Sequence, residues 1–272
     1  MAATGYDLND MLYLMARLRD PVDGCPWDLK QDYRSIVPHT LEEAYEVADA
    51  IERGDYEHLK EELGDLLFQV VFYSQLGREE QRFDFYDVVS SLVEKLVFRH
   101  PHVFPEGTLA SRRDVNHDVK EADIKQSWEA LKKQERGAKG RHSVLDDVPV
   151  GLPAVTRAQK IQKRASGIGF DWPDASGVVD KIKEEADELT AAQQSANTEA
   201  IAEELGDLLF SCINLGRHLG VNCETALRAT TRKFEQRFHF IESVASEKGI
   251  SVEQLSLDEM DQLWERAKGQ TP

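Results

Sequence analysis

Eight acidic residues, in two sets of four, carry spacings from which chemistry can be built. Glu43 and Glu46 stand three apart, as do Glu62 and Asp65. Glu185 with Glu188 and Glu204 with Asp207 repeat the pattern. Residues three apart on a helix share a face, so each pair is a local double carboxylate. A short turn between the two helices of each set lays them antiparallel and can bring pair against pair. Four carboxylates at close range repel one another unless a divalent cation neutralises them. An all-oxygen donor set selects a hard ion, Mg²⁺ or Mn²⁺, over zinc. Asp65 and Asp207 each open a strongly apolar run, Asp-Leu-Leu-Phe-Gln-Val-Val-Phe-Tyr and Asp-Leu-Leu-Phe-Ser-Cys-Ile-Asn-Leu. Each is therefore expected at the mouth of an otherwise buried helix, where an unpartnered carboxylate is costly. A di-iron bundle would need Glu-x-x-His on two of its helices; here that spacing ends in Asp both times, which excludes it. The competing reading is a solvated acidic face, with Glu43 serving only as partner to Thr40 in a capping box. No Ser or Thr stands three residues before Glu185 to extend that explanation to the second set.

Basic residues recur in the same order behind each set. Lys95 with Arg99 and Lys233 with Arg237 are four apart on predicted helices. They read as grips for phosphate oxygens, the Arg able to bind bidentately. Trp128 with Lys132 and Trp264 with Lys268 place an aromatic plane one turn from an ammonium, a pairing suited to stacking a base and holding a phosphate. Singly, each is equally at home as a core Trp or a solvated cation pair. Trp27 and Trp172 are expected to pack. The chain has neither a Walker A loop nor a G-x-G-x-x-G turn, so the usual nucleotide cradles are missing.

The elements that must position these groups are helices. Leu41, Ala44, Tyr45, Ala48 and Ile51 follow the i, i+3, i+4 pattern, and strand-like alternation is absent over useful lengths. Thr40 with Glu43 and Ser256 with Glu259 form possible capping boxes, while Gly54 and residues 195–197 mark turns. The acidic motifs repeat at a constant offset of 142 (43 to 185, 46 to 188, 62 to 204, 65 to 207). We therefore read an all-α chain of two tandem helical-bundle domains, 1–136 and 151–272, joined by a polar linker over 137–150. The stretch 101–118 reads as a loop. With 33 Lys and Arg against 50 Asp and Glu, the 272-residue chain has a net charge of −17, a poor match to nucleic acid or an anionic membrane. No apolar run approaches the ~18–20 residues of a membrane span, and the first residues lack a secretory pattern. Cys25, Cys212 and Cys223 form no C-x-x-C pair, which argues against a zinc or disulfide framework and fits a reducing cytoplasm.

Glu42-Glu43-x-x-Glu46 with Glu62-x-x-Asp65, and Glu184-Glu185-x-x-Glu188 with Glu204-x-x-Asp207, resemble the MazG family of nucleoside triphosphate pyrophosphohydrolases in its two-domain form. Arg17-Leu18-Arg19-Asp20-Pro21 and Gly169-Phe170-Asp171-Trp172 are similar to that family's domain openings. The resemblance implies an all-α, dimer-forming, Mg²⁺-dependent enzyme. It would cleave nucleoside triphosphates to monophosphate and pyrophosphate, in nucleotide-pool house-cleaning. It also implies that Glu185, Glu188, Glu204 and Asp207 ligate metal, and that Lys181, Lys233, Arg237, Trp264 and Lys268 face the nucleotide. Thr231 stands where many members carry Asn. Unligated Glu184 or Glu203 is placed to take the proton of an attacking water. Lys181 lies four residues before Glu185, whereas the repeat puts His39 at the matching place in the first half, and the C-terminal half also has Lys160, Lys163 and Arg164 upstream. This makes the C-terminal domain the expected main catalyst. A nucleotide-binding regulatory module without hydrolysis, or a helical scaffold, remains the alternative from residues alone.

Overall fold

The computed structural model describes residues 5–114, 120, 124, 127–128, 131, 135, 143–146, 148–195 and 197–269. Within them every regular element is helical, as the periodicity requires. Two compact units divide the chain, Met1–Glu135 and Arg136–Pro272. Half of the expected linker, 137–142 and 147 within 137–150, lies outside the described residues.

In the first unit α1 spans Leu8–Leu18, α2 Tyr33–Arg53, α3 Tyr56–Glu79 and α4 Phe85–Arg99, with a short 3₁₀ turn at Asp28–Lys30. Each long helix starts at an Asp (Asp7, Asp32, Asp55, Asp84) whose side chain accepts from first-turn amides, satisfying otherwise orphaned donors. Helix α2 therefore begins two turns earlier than Thr40 implied. Its capping box is Asp32 with Ser35, and the Thr40 hydroxyl bonds back to the Ile36 carbonyl. Gly54, at φ +70°, ends α2 in the left-handed conformation that glycine adopts without strain. This tight reversal packs α2 along α3. Met15, Ile36, Val71, Phe72, Leu76 and Phe85 form the core.

In the second unit α5 spans Ala154–Ser166, α6 Ala175–Ser195, α7 Thr198–His218, α8 Cys223–Glu247 and α9 Leu257–Lys268. Asn197 caps α7, and Ser256 with Glu259 makes the expected capping box on α9. Helix α6 packs along α7, α8 along α9, and α5 against α7 and α8. Ile241, Ala245, Leu255 and Leu263 form a core between α8 and α9.

The burial expected of the apolar runs after Asp65 and Asp207 holds on one side of each helix only: Val71 and Phe72 are core and Ser211 and Asn214 are buried, while the other side is uncovered. Leu63, Leu67 and Val70 on α3 are 50%, 39% and 38% exposed, and Leu205, Leu209 and Phe210 on α7 are likewise exposed. At spacings of four and three or one they line one side of each helix. Trp27 and Trp172 are also about half-exposed, contrary to expectation. Trp27 sets its edge against His39, and Trp172 covers Gly177 at the start of α6, where any Cβ would collide with the indole.

Candidate active site

The antiparallel α2–α3 pair brings one carboxylate oxygen from each of Glu43, Glu46 and Glu62 within 4.8 Å of one another. The α6–α7 pair does the same for Glu185, Glu188 and Glu204. Asp65 and Asp207 do not join the triads. Both are exposed at their edges and act on them through charge. Burial raises the Glu43 carboxyl above its ordinary range, and Asp65 and Glu46 push it further. Burial raises Glu204 too, reinforced by Glu188, Glu185 and Asp207. Each cluster is thus a concentration of negative charge that a hard dication would relieve.

The buried member differs between the clusters. In the first it is Glu62, 7% exposed, and in the second Glu185, 4% exposed. Glu62 meets His58 Nε2 at 3.1 Å; burial raises its carboxyl and the histidine partly offsets that. Glu185 meets Lys181 Nζ at 2.7 Å, and the same ammonium reaches Glu184 at 2.9 Å. Those hydrogen bonds raise the Lys181 pKa and hold it protonated. His39, at the matching place in the first unit, turns instead toward Glu42 at 3.7 Å.

Two polar groups beside the first cluster escaped sequence reasoning. Gln69 is buried, with Nε2 3.4 Å from Glu43 Oε1 and its own Oε1 unpartnered. His58 is the other. The signal was present: residues 58, 62, 65 and 69 run i, i+4, i+7, i+11 and share a face of α3. The repeat replaces them with Ala200 and Ser211.

The basic and aromatic residues form separate groups. Arg237 lies over the Trp264 ring at 5.5 Å with its Nε buried and unpartnered, and Trp264 packs on Phe234 at 5.0 Å. Lys268 pairs with Glu265 on its own helix. Lys233 lies half-buried on α8. Among the described residues no ion pair joins Lys233, Arg237 or Lys268 to the carboxylates. In the first unit Lys95 is exposed, while Arg99 is held bidentately by Glu135 at 3.0 and 2.5 Å. Trp128 meets the edge of His100 at 5.2 Å with Nε1 buried and unpartnered. Lys132 lies outside the described residues. Glu184 and Glu203 are both exposed next to triad members.

The domain openings lock the first helix of each unit. Arg19 donates to Glu79 at 2.6 Å and to the Asp28 and Gln31 carbonyls, over the Phe72 ring. Asp171 accepts from Arg217 at 2.5 Å and from His218 at 2.9 Å.

The family model described as the MazG nucleotide pyrophosphohydrolase domain matches residues 31–104 and again 175–240, the two helix groups that carry the triads. The chain belongs to the MazG family. It is 46% identical to the nucleoside triphosphate pyrophosphohydrolase of Escherichia coli K12, over 97% of both chains. It is 41% identical to the nucleoside triphosphate pyrophosphohydrolase/pyrophosphatase MazG of Thermotoga maritima, over 99% of this chain and 98% of that one. The Mycolicibacterium smegmatis nucleoside triphosphate pyrophosphohydrolase is 37% identical over 61% of this chain and 48% of its own. The MazG match includes α2, α3, α6 and α7, so the family's shared segments are those that bring the glutamates together. No helix among the described residues is long and apolar enough to cross a membrane.

Proposed function

We infer that this chain is a nucleoside triphosphate pyrophosphohydrolase, taking ribo- or deoxyribonucleoside triphosphate and water to the monophosphate and pyrophosphate. The observation that carries this reading is the convergence of three glutamates in each unit, in a chain whose near full-length relatives bear that name. Mg²⁺ is the proposed cofactor, with Mn²⁺ fitting the same oxygen donors. The fit rests on the donor chemistry and on carboxyls already raised by burial and mutual repulsion. When bound, the cation neutralises phosphate charge and makes an attacking water more acidic.

Glu185, Glu188 and Glu204, with Asp207 at the edge, would hold it in the C-terminal domain; Glu43, Glu46, Glu62 and Asp65 are the N-terminal set. Exposed Glu184 or Glu203 accepts the water's proton. Lys181 is paired with Glu185, and its ammonium is placed to turn toward the phosphate chain once that carboxylate is otherwise neutralised. Lys233, Arg237 and Lys268 steady the remaining phosphate charge, and Trp264 offers a face to the base. Lys95, Arg99, Trp128 and Lys132 are the N-terminal counterparts. The C-terminal domain, 151–272, is the main catalyst, because Lys181 has no equal at His39.

The apolar stripes on α3 and α7 support a homodimer, since faces of that kind mark protein contacts. The net charge of −17 supports a partner set without nucleic acid or membrane, and a cytoplasmic house-cleaning role completes the reading. The test is pyrophosphate release from a panel of standard and damaged nucleoside triphosphates with Mg²⁺. Pyrophosphate is the expected product, abolished by a chelator. Release of single phosphate, or of nothing, overturns the reading.

A further inference from the structure

The two triads use the same three positions but do not carry the same charge. In the C-terminal unit Lys181 Nζ stands 2.7 Å from Glu185 and 2.9 Å from Glu184. Glu185 is the buried member of its triad, 4% exposed. A positive charge of the chain therefore already sits at the most shielded ligand, and it repels an arriving dication. In the N-terminal unit, among the described residues, no ammonium or guanidinium pairs with Glu43, Glu46 or Glu62. The buried carboxylate there, Glu62, meets the His58 imidazole at 3.1 Å. A neutral imidazole donates a hydrogen bond and leaves the charge of the anion in place. His39, at the place of Lys181, turns to Glu42 and not to the triad. Burial raises the carboxyls of both Glu43 and Glu62, and Glu46 adds to each.

Gln69 carries an oxygen that the fold leaves unsatisfied. The residue is 6% exposed, its Nε2 lies 3.4 Å from Glu43 Oε1, and its Oε1 has no hydrogen-bond partner. A buried acceptor without a donor is costly. Oxygen and nitrogen belong to one amide, so this acceptor lies at the same edge of the triad as Nε2. Half a turn about the last side-chain bond exchanges the two atoms without steric cost. A neutral amide oxygen is a ligand that hard cations accept beside carboxylates. The repeat puts Ser211, a much shorter side chain, at that place on α7. The N-terminal unit thus holds a spare oxygen where the C-terminal unit holds a built-in cation.

We propose that the N-terminal triad with Gln69 is a standing dication site, filled without nucleotide, whereas Lys181 keeps the C-terminal triad from taking a dication until a triphosphate draws its ammonium away. This rests on the reading of both triads as dication sites, and binding rather than turnover tests it. Mn²⁺, which prefers the same oxygen donors, is titrated into the nucleotide-free full chain, and the free ion is counted by its electron paramagnetic resonance signal. One strong equivalent per chain is expected. Glu62→Gln should remove it and Glu204→Gln should leave it. Gln69→Met should weaken it about tenfold or more, while Gln69→Glu, which restores an oxygen, retains it. Gln69→Leu takes the place of Gln69→Met if that variant does not fold, with far-UV circular dichroism reporting the fold of each. Lys181→Met should add a second equivalent, which Glu204→Gln then removes. The proposal is overturned if the nucleotide-free chain binds no Mn²⁺ or two equal equivalents, or if Glu204→Gln instead of Glu62→Gln removes the strong one. It is also overturned if folded Gln69→Met or Gln69→Leu binds undiminished, or if Lys181→Met gains nothing. Pyrophosphate release is measured separately: its absence with one strong Mn²⁺ bound overturns the hydrolase reading and not this assignment.

Discussion

The N-terminal and C-terminal clusters begin from the same motif and balance its charge differently. In the first, the buried carboxylate is Glu62 on α3, met by a histidine from its own helix, with Gln69 reaching across to Glu43. In the second, the buried carboxylate is Glu185 on α6, met by Lys181, and the places of His58 and Gln69 hold Ala200 and Ser211. A lysine stays charged through neutral pH, and its long stem can swing away from one anion toward another. A neutral histidine offers a polyphosphate less than a lysine does. Copies of one motif can therefore keep every acidic residue and still differ in what they offer a substrate.

The largest effect that can break this comparison comes from removing one ligand in each copy. Glu204→Gln is expected to lower hydrolysis about 100-fold or more, while Glu62→Gln retains at least half the activity, both read as pyrophosphate release. The opposite ranking would reverse the roles of the two domains. Next in size, Lys181→Met should reduce hydrolysis about tenfold, the scale of one lost charge-assisted hydrogen bond. His39→Lys asks whether the missing ammonium alone separates the copies, and is expected to raise the residual activity of a Glu204→Gln background.

Metal binding gives a stability reading of the same contrast. Millimolar Mg²⁺ is expected to raise the melting temperature by several degrees, as any ligand of the folded state does. Glu62→Gln/Glu204→Gln should abolish that rise; a variant that still responds would place the cation elsewhere. The smallest effect concerns the ion pairs that lock the first helices. Burial alone would raise the Asp171 carboxyl, but hydrogen bonds from Arg217 and His218 outweigh it and hold it below its ordinary range. Glu79 is lowered in the same way against Arg19. A carboxylate lowered on folding stabilises above its unfolded value of about 3.9 for Asp and ceases to as pH falls through its folded value. Asp171→Asn should therefore melt a few degrees below the parent at pH 7. The gap should close as pH drops below about 4, as followed by thermal melts across pH. A gap constant with pH would mean that packing, not charge, is what the substitution removed.

Much of the site was legible because helical spacing is a local property. Glu43 with Glu46, and Glu185 with Glu188, share a face whatever surrounds them, and the glycine after α2 announced the reversal that sets one pair against the next. The argument from Asp65 and Asp207 held for Val71 and Phe72 and failed for the opposite side of each helix, for a different reason. A run such as Leu-Leu-Phe has the same composition whether it is core or an uncovered stripe, and the structure places Leu67, Leu209 and Phe210 outside. Thr40 misled similarly: Ser/Thr-x-x-Glu also occurs inside a helix, and Asp32 lay close enough upstream to start α2 instead. Trp264 combined both readings, packed in the α8–α9 core while its face takes the Arg237 guanidinium.

By itself the order of residues determined an all-helical chain and the eight acidic positions, through periodicities of three to four along one backbone, and the internal repeat, through the constant offset of 142. Tertiary structure alone decided which glutamate of each triad is buried and which cation or amide answers it. Those outcomes depend on how side chains far apart in sequence fill the space between packed helices, and volume and distance between such residues are written in no local pattern.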